Sequence, residues 1–121
     1  MPELVVSRSD VLIVSTDPVV AALLGASVEL AGFSPVFSEG DEALEASLRR
    51  RAPAVVLADP RDDQWSEDAA RAARAAGARI VLFGRQGERE TLEALARATN
   101  ARAITLPLAH AQLARLLNGA E

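Results

Sequence analysis

The sequence predicts an α/β domain: a five-stranded parallel sheet with helices on both faces. Three observations carry that prediction. Strand signals and helix signals alternate five times along the chain. The connections between them are short, as βα units with crossover helices require. The strand segments are short, largely continuous apolar runs, which suit strands covered on both sides.

The first strand is Asp10–Val14, ending in Val11-Leu12-Ile13-Val14. Ser15-Thr16-Asp17-Pro18 then offers N-cap residues and a proline pre-set for the first helical turn. The first helix carries Val20, Leu23, Leu24, Val28 and Ala31 at helical spacing and stops at Gly32. Ser34–Phe37 is the second strand. Ser38 and Asp41 form a candidate capping box for the second helix, with Leu44 and Leu48 facing the core. That helix closes on Arg49-Arg50-Arg51, and Pro53 prevents its continuation. The third strand, Ala54–Ala58, ends at Asp59-Pro60. A polar loop, Arg61–Trp65, leads to a third helix from Ser66 to Ala76, ended by Gly77. The fourth strand is Arg79–Phe83, and the fourth helix is Glu88–Thr99 with Leu92, Leu95 and Ala96 on one side. Ala103–Leu106 is the fifth strand, and Ala109–Asn118 is the last helix, stopped by Gly119.

At 121 residues the chain has the length of one domain, read here as residues 10–121 after a short extension of residues 1–9. Half the residues are apolar and 25% are charged, which excludes disorder and collagen-like structure. There is no cysteine, hence no disulfide, thiolate metal site or thiol nucleophile. A single histidine, His110, excludes a multi-histidine metal site. A net charge of −4 argues against nucleic-acid binding. The opening MPELVVSRS lacks the basic start and apolar centre of a signal peptide. The longest apolar run, Val19–Ala26, is far short of the roughly 18 residues a membrane span needs. The expectation is a cytoplasmic protein with no membrane contact. All 13 basic residues are arginine; there is no lysine.

In parallel sheets of this kind, sites lie beyond the carboxyl ends of the strands. Those ends are Ser15-Thr16, Asp59, Gly84 and Leu106. VLIVSTDP, ELAGFSPV, EGDEALEA, APAVVLADP and ITLPL, in this order and spacing, resemble the response-regulator receiver domain of bacterial two-component signalling, of the chemotaxis-receiver kind. The resemblance covers Asp10 to about Asn118 and implies a flavodoxin-like strand order, 2-1-3-4-5. It also implies a site in which an acidic pair and a phosphoacceptor Asp bind Mg²⁺, while a Ser or Thr and a Lys hold the phosphoryl oxygens. Such a site works by neutralising charge as phosphoryl moves to a carboxylate.

On that pattern Asp59 stands at the phosphoacceptor position. The acidic pair is replaced by Ser15 and Thr16, and the nearby Asp17 falls out of register. Gly84 replaces the Ser or Thr, Leu106 the Lys, and Ala103 the aromatic of the fifth strand. With no lysine in the chain, no change of register restores that cation. The resemblance is therefore to a degenerate, pseudo-receiver variant. It carries no catalytic residue, no metal and no cofactor; Mg²⁺ enters only if Asp59 is phosphorylated.

Each residue also has a plainer reading. Asp59 caps its loop or pairs with an arginine. Arg61 and Arg85, next to strand ends, point to solvent. Asp17 complements the first helix's dipole, and Arg49–Arg51 that of the second. Ser15 and Thr16 are neutral loop and capping residues. Trp65 packs over the third helix, covers the strand-end pocket or meets a partner. His110, without companions, has no ligand set.

The favoured function is a signalling module acting by protein–protein interaction without phosphorylation. Its partner, or a second copy in a homodimer, uses the fourth helix–fifth strand–fifth helix face, within Leu92–Leu116. Alternatives are a working receiver phosphorylated on Asp59 in a phosphorelay, and a small-molecule-binding domain at the strand ends. Without a Gly-rich phosphate loop or a nucleophile elbow, an enzyme is not expected.

Overall fold

The computed structural model describes residues 10–38, 43–107 and 110–119. In chain order the elements are β1 (Asp10–Val14), α1 (Pro18–Leu30), β2 (Ser34–Phe37), α2 (Leu44–Arg51), β3 (Val55–Ala58), α3 (Glu67–Ala75), β4 (Arg79–Arg85), α4 (Arg89–Ala98), β5 (Arg102–Leu106) and α5 (His110–Leu117). The strands form one parallel sheet in the order β2-β1-β3-β4-β5. Sequence-neighbouring strands all pair except β2 and β3, so strand order reverses at β1 and β3.

The continuous apolar strands bury both faces. Leu12, Val14, Val56, Ala58, Ile80 and Leu82 point to one side, where they meet Leu44 and Leu48 of α2, the alanines of α3, and Leu92 and Ala96 of α4. Val11, Ile13, Val55, Leu57, Val81 and Phe83 point to the other and meet Leu24 and Val28 of α1 and Leu113, Leu116 and Leu117 of α5. Two helices thus cover one face and three the other.

The caps follow local chemistry. Asp17 Oδ1 accepts from the N–H groups of Val19 and Val20 at 3.0 and 3.3 Å, with Pro18 opening the helix. Ser66 Oγ accepts from Ala69 N–H at 3.1 Å and starts α3. Gly32 and Gly77, with φ of 91° and 88°, take the left-handed conformation after α1 and α3. Arg79, at the start of β4, donates to the Leu116 and Leu117 carbonyls at 2.7 and 2.5 Å and so closes the C-terminus of α5. The Leu106-Pro107 peptide bond is cis.

Three expectations are corrected. The second helix starts at Leu44, on Ala43 without a side-chain cap. Ser38 instead accepts from Gln64 Nε2 at 3.3 Å, and Asp41 lies outside the described residues. Six residues separate Ser38 from Leu44, too many for an N-cap. The fourth strand runs past Phe83 to Arg85, because Gly84 and Arg85 pair with Thr105 and Leu106. Leu23 does not face the core. Val20, Leu24 and Val28 define the inward stripe, and Leu23 falls outside it, well exposed. The first nine residues, Ala109 and the His110 side chain also lie outside the description. Among the described residues no helix is long and apolar enough to cross a membrane.

Candidate functional site

The carboxyl ends of β1, β3 and β4 converge around Asp59. Its backbone N–H donates to Val14 O at 3.1 Å, extending the β1–β3 ladder by one residue. That bond places the Asp59 side chain at the rim of the sheet. Its Oδ1 accepts from the backbone N–H of Arg61 at 2.9 Å, a local turn of the kind Asp favours. The Arg61 Nε lies 3.4 Å from the same oxygen, and Arg61 Nη1 lies 2.9 Å from Glu88 Oε2.

Arg61 therefore does not simply point to solvent. It bridges two carboxylates from different loops, although its side chain stays 54% exposed while that of Asp59 is 19% exposed. The hydrogen bond and charge of Asp59, and then the charge of Glu88, push the guanidinium pKa upward. Arg61 is thus a fixed cation. Glu88 is oriented in turn: its Oε1 accepts from Arg85 N–H at 3.2 Å.

Glu88 and Leu92 pack beside Gly84 at ordinary contact distance. A β-carbon at Gly84 would stand 3.4 Å from Glu88 Oε1 and 3.5 Å from Leu92 Cδ2. The space a larger residue would claim is filled by the Glu88 carboxylate and the Leu92 side chain. What remains is a small cavity of about 160 Å³ lined by Pro60, Arg61, Phe83, Gly84, Glu88 and Leu92, among others.

The other strand-end residues have local duties. Ser15 Oγ accepts from Asp17 N–H at 3.2 Å. Asp17 directs Oδ1 at the first turn of α1, and Thr16 is exposed. Leu106 is half-buried and packs on the apolar face shared by α1 and α5. Ala103 packs on the opposite side and lines a groove of about 280 Å³ with Arg89, Leu92, Glu93, Thr105 and Gln112. Arg89 Nη2 donates to Thr105 Oγ1 at 3.4 Å across that groove. Trp65 packs against the cluster that holds the α3 alanines.

Glu88 is the site residue that sequence reasoning missed. It lies 27 residues from Arg61 and was read only as the start of a helix. Asp62 was missed as well. It is 93% buried by exposure of 7%, and its Oδ1 accepts from Gln64 N–H at 2.9 Å.

The described residues offer few carboxylate ligands for a divalent cation. Mg²⁺ needs oxygen ligands in near-octahedral array, usually including carboxylates. Among the described residues no three acidic or histidine side chains group to hold a metal. The Asp59 and Glu88 carboxylates share the Arg61 guanidinium instead.

No protein-family model matches the sequence, and no curated protein does. Solved structures do. The chain is similar to the signal receiver domain of a modulated diguanylate cyclase from Desulfovibrio desulfuricans G20, at 27% identity and a TM-score of 0.73, covering 92% of this chain and 91% of that one. It is similar to the receiver domain of the sensor histidine kinase PA1611 from Pseudomonas aeruginosa PAO1, with a magnesium ion in its active-site cleft, at 22% identity and a TM-score of 0.72, covering 92% and 95%. It is also similar to the Vibrio cholerae chemotaxis protein CheY4, at 17% identity and a TM-score of 0.74, covering 95% and 100%. These neighbours span nearly the whole chain in each case.

Proposed function

Since the chain carries the receiver fold, we propose that it is a pseudo-receiver: a two-component signalling module that acts by protein–protein interaction without phosphorylation. One observation carries this reading. The Asp59 carboxylate at the end of β3 faces the Arg61 cation, and among the described residues it belongs to no group of three acidic side chains. Ser15 and Thr16 bring no charge, and Asp17 is engaged in capping α1.

The consequence is electrostatic. Phosphoryl transfer to a carboxylate needs fixed positive charge where negative charge develops. Losing a single preorganised donor typically slows such a step about 10²–10³-fold. Here Leu106 and Gly84 supply no such group, and the acidic pair is missing. Arg61 is the nearby cation, and Glu88 already shares it. The PA1611 receiver domain holds Mg²⁺ in its cleft; in this chain the Asp59 carboxylate is paired with Arg61.

The interaction surface in this reading is the α4–β5–α5 face. Ala103 leaves a groove there with a charged and polar rim of Arg89, Glu93, Thr105 and Gln112. A polar, accessible groove suits a partner that binds and leaves. A small-molecule role at the strand ends has less support. The cavity beside Gly84 is about 160 Å³, below the roughly 300–1,000 Å³ of typical ligand pockets, and the larger groove of about 440 Å³ at Leu106 opens toward α1 instead.

The test is intact mass after incubation with acetyl phosphate and Mg²⁺. The expected result is an unchanged mass. A stoichiometric adduct of about 80 Da, lost in Asp59→Asn, would overturn the proposal and establish the phosphorelay reading.

A further inference from the structure

We infer that α1 is a self-association face, through which two copies of this chain pair about a two-fold axis with their α1 helices antiparallel. The inference starts from composition. The thirteen residues PVVAALLGASVEL contain one charge, Glu29. A surface helix ordinarily turns charged residues to water. Among the described helices, α3 exposes Glu67, Asp68, Arg71 and Arg74, and α4 exposes Arg89, Glu90, Glu93 and Arg97. The outer face of α1 instead presents Val19, Ala22, Leu23, Ala26 and Leu30, with Glu29 at its border. The three large ones are 66%, 65% and 74% exposed.

The stripe continues on both flanks. On the β2 side lies Phe37, which is also exposed and packs so closely on Gly25 that a β-carbon there would be 2.8 Å from its ring. On the α5 side an apolar groove of about 440 Å³ runs between Val20, Leu23, Leu24, Leu106 and Leu113. The exposed parts of the stripe and Phe37 amount to on the order of 600 Å², the upper end of what a monomer leaves open. A two-fold pair would remove about 1,200 Å² in total, which reaches the range of specific interfaces.

The order of residues along α1 favours a second copy as the occupant. Reversing the helix about a point between Leu24 and Gly25 sets Leu30 against Val19, and Leu23 against Ala26. Ala22 then faces Ser27. Leu23 then meets the small Ala26, and Leu30 and Val19 close each end as an apolar pair, so the stripe can pair with itself in antiparallel sense, as an isologous contact requires. Small residues near the axis also let the two helices approach closely. This surface does not include Asp59, although its α5 flank reaches Leu106 and Leu113, so the inference stands or falls independently of phosphorylation.

The experiment is sedimentation equilibrium on the full chain from about 1 to 500 µM. That concentration range covers the weak association expected of an interface at the low end of the specific size range. The expected result is a concentration-dependent shift from the 12.8 kDa chain mass to twice that value. Leu23→Glu, at an exposed position that leaves folding intact by circular dichroism, should weaken the dimer about 100-fold or more by placing a charge in the seam. Leu95→Glu, at the exposed leucine of α4, should leave it unchanged.

Register is read by cross-linking, because the chain has no cysteine. Ala26→Cys sets two thiols about 4–5 Å apart along the helix axes, and oxidation should give a covalent dimer. Ala94→Cys, exposed on α4, should not. A chain monomeric across the range overturns the inference. A dimer indifferent to Leu23→Glu but broken by Leu95→Glu overturns it in favour of the α4 face.

Discussion

Replacing Asp59 by Asn reverses sign between the two readings of the site. Asn keeps an oxygen for the Arg61 backbone N–H, now 2.9 Å from Oδ1. It removes only the charge facing the guanidinium at 3.4 Å. In bulk water two unit charges at that range attract by about 1 kcal/mol. With Arg61 more than half exposed, screening and side-chain entropy reduce the pair to roughly 0.2–1 kcal/mol. Asp59→Asn should therefore destabilise the fold by up to about 1 kcal/mol. Where several carboxylates crowd one site, removing one relieves repulsion and stabilises the protein.

The assay is urea unfolding followed by Trp65 fluorescence and circular dichroism, with Arg61→Gln and the double variant completing a cycle. At an m-value near 1–2 kcal/mol/M, the midpoint of Asp59→Asn should fall by up to about 0.5–1 M. The coupling between the two changes should be favourable and should fade in about 1 M salt. Mg²⁺ offers a parallel check. A site of about 1 mM Kd would add about 1.4 kcal/mol at 10 mM Mg²⁺; no such gain is expected. A stabilised Asp59→Asn, or a Mg²⁺ gain that this substitution abolishes, would refute the reasoning.

Two further outcomes follow from packing and capping. Leu48→Ala, at a fully buried position between α2 and the sheet, should cost about 2–5 kcal/mol in urea unfolding with an unchanged m-value. Asp17→Ala should cost about 1 kcal/mol by freeing the Val19 and Val20 N–H groups, whereas Asp17→Asn should be nearly neutral. Thermal melts compare the two Asp17 variants directly, and a large loss in Asp17→Asn would mean that its charge matters beyond the cap.

The fold was legible because each βα unit announces itself locally. Val11–Val14 and Val55–Ala58 are too apolar to be anything but covered, and Asp17-Pro18, Ser66 and Gly77 mark helix ends by their own chemistry. The charge pattern of the site was legible in part. That neutral residues follow β1 could be read from Ser15 and Thr16, and the capping role of Asp17 from Pro18. The Arg61–Glu88 pair could not, since loops brought together across 27 residues leave no periodic trace. The end of β4 was misread because Gly and Arg look like a loop until the β5 partners, Thr105 and Leu106, are known. Leu23 was misread for a different reason. Apolar periodicity marks a face that avoids water, without saying whether the chain's own sheet or another molecule covers it.

On the proposed reading, the bridge from Asp59 through Arg61 to Glu88 does more than neutralise one carboxylate. It ties the loop after β3 to the loop before α4, the two segments through which an event at Asp59 would have to reach the α4–β5–α5 face. A phosphoryl group would bring nearly two further negative charges to this rim. Arg61 already divides its guanidinium between two anions, and Leu106 brings no second cation. Accepting the charge would therefore mean breaking the contact to Glu88 without any compensating partner. At the far end, Ala103 has no ring whose movement could report the change. Both halves of a relay are missing, the group that stabilises the charged state and the group that transmits it. What remains is a single arrangement held by one shared cation, which suits a surface that is always ready for its partner.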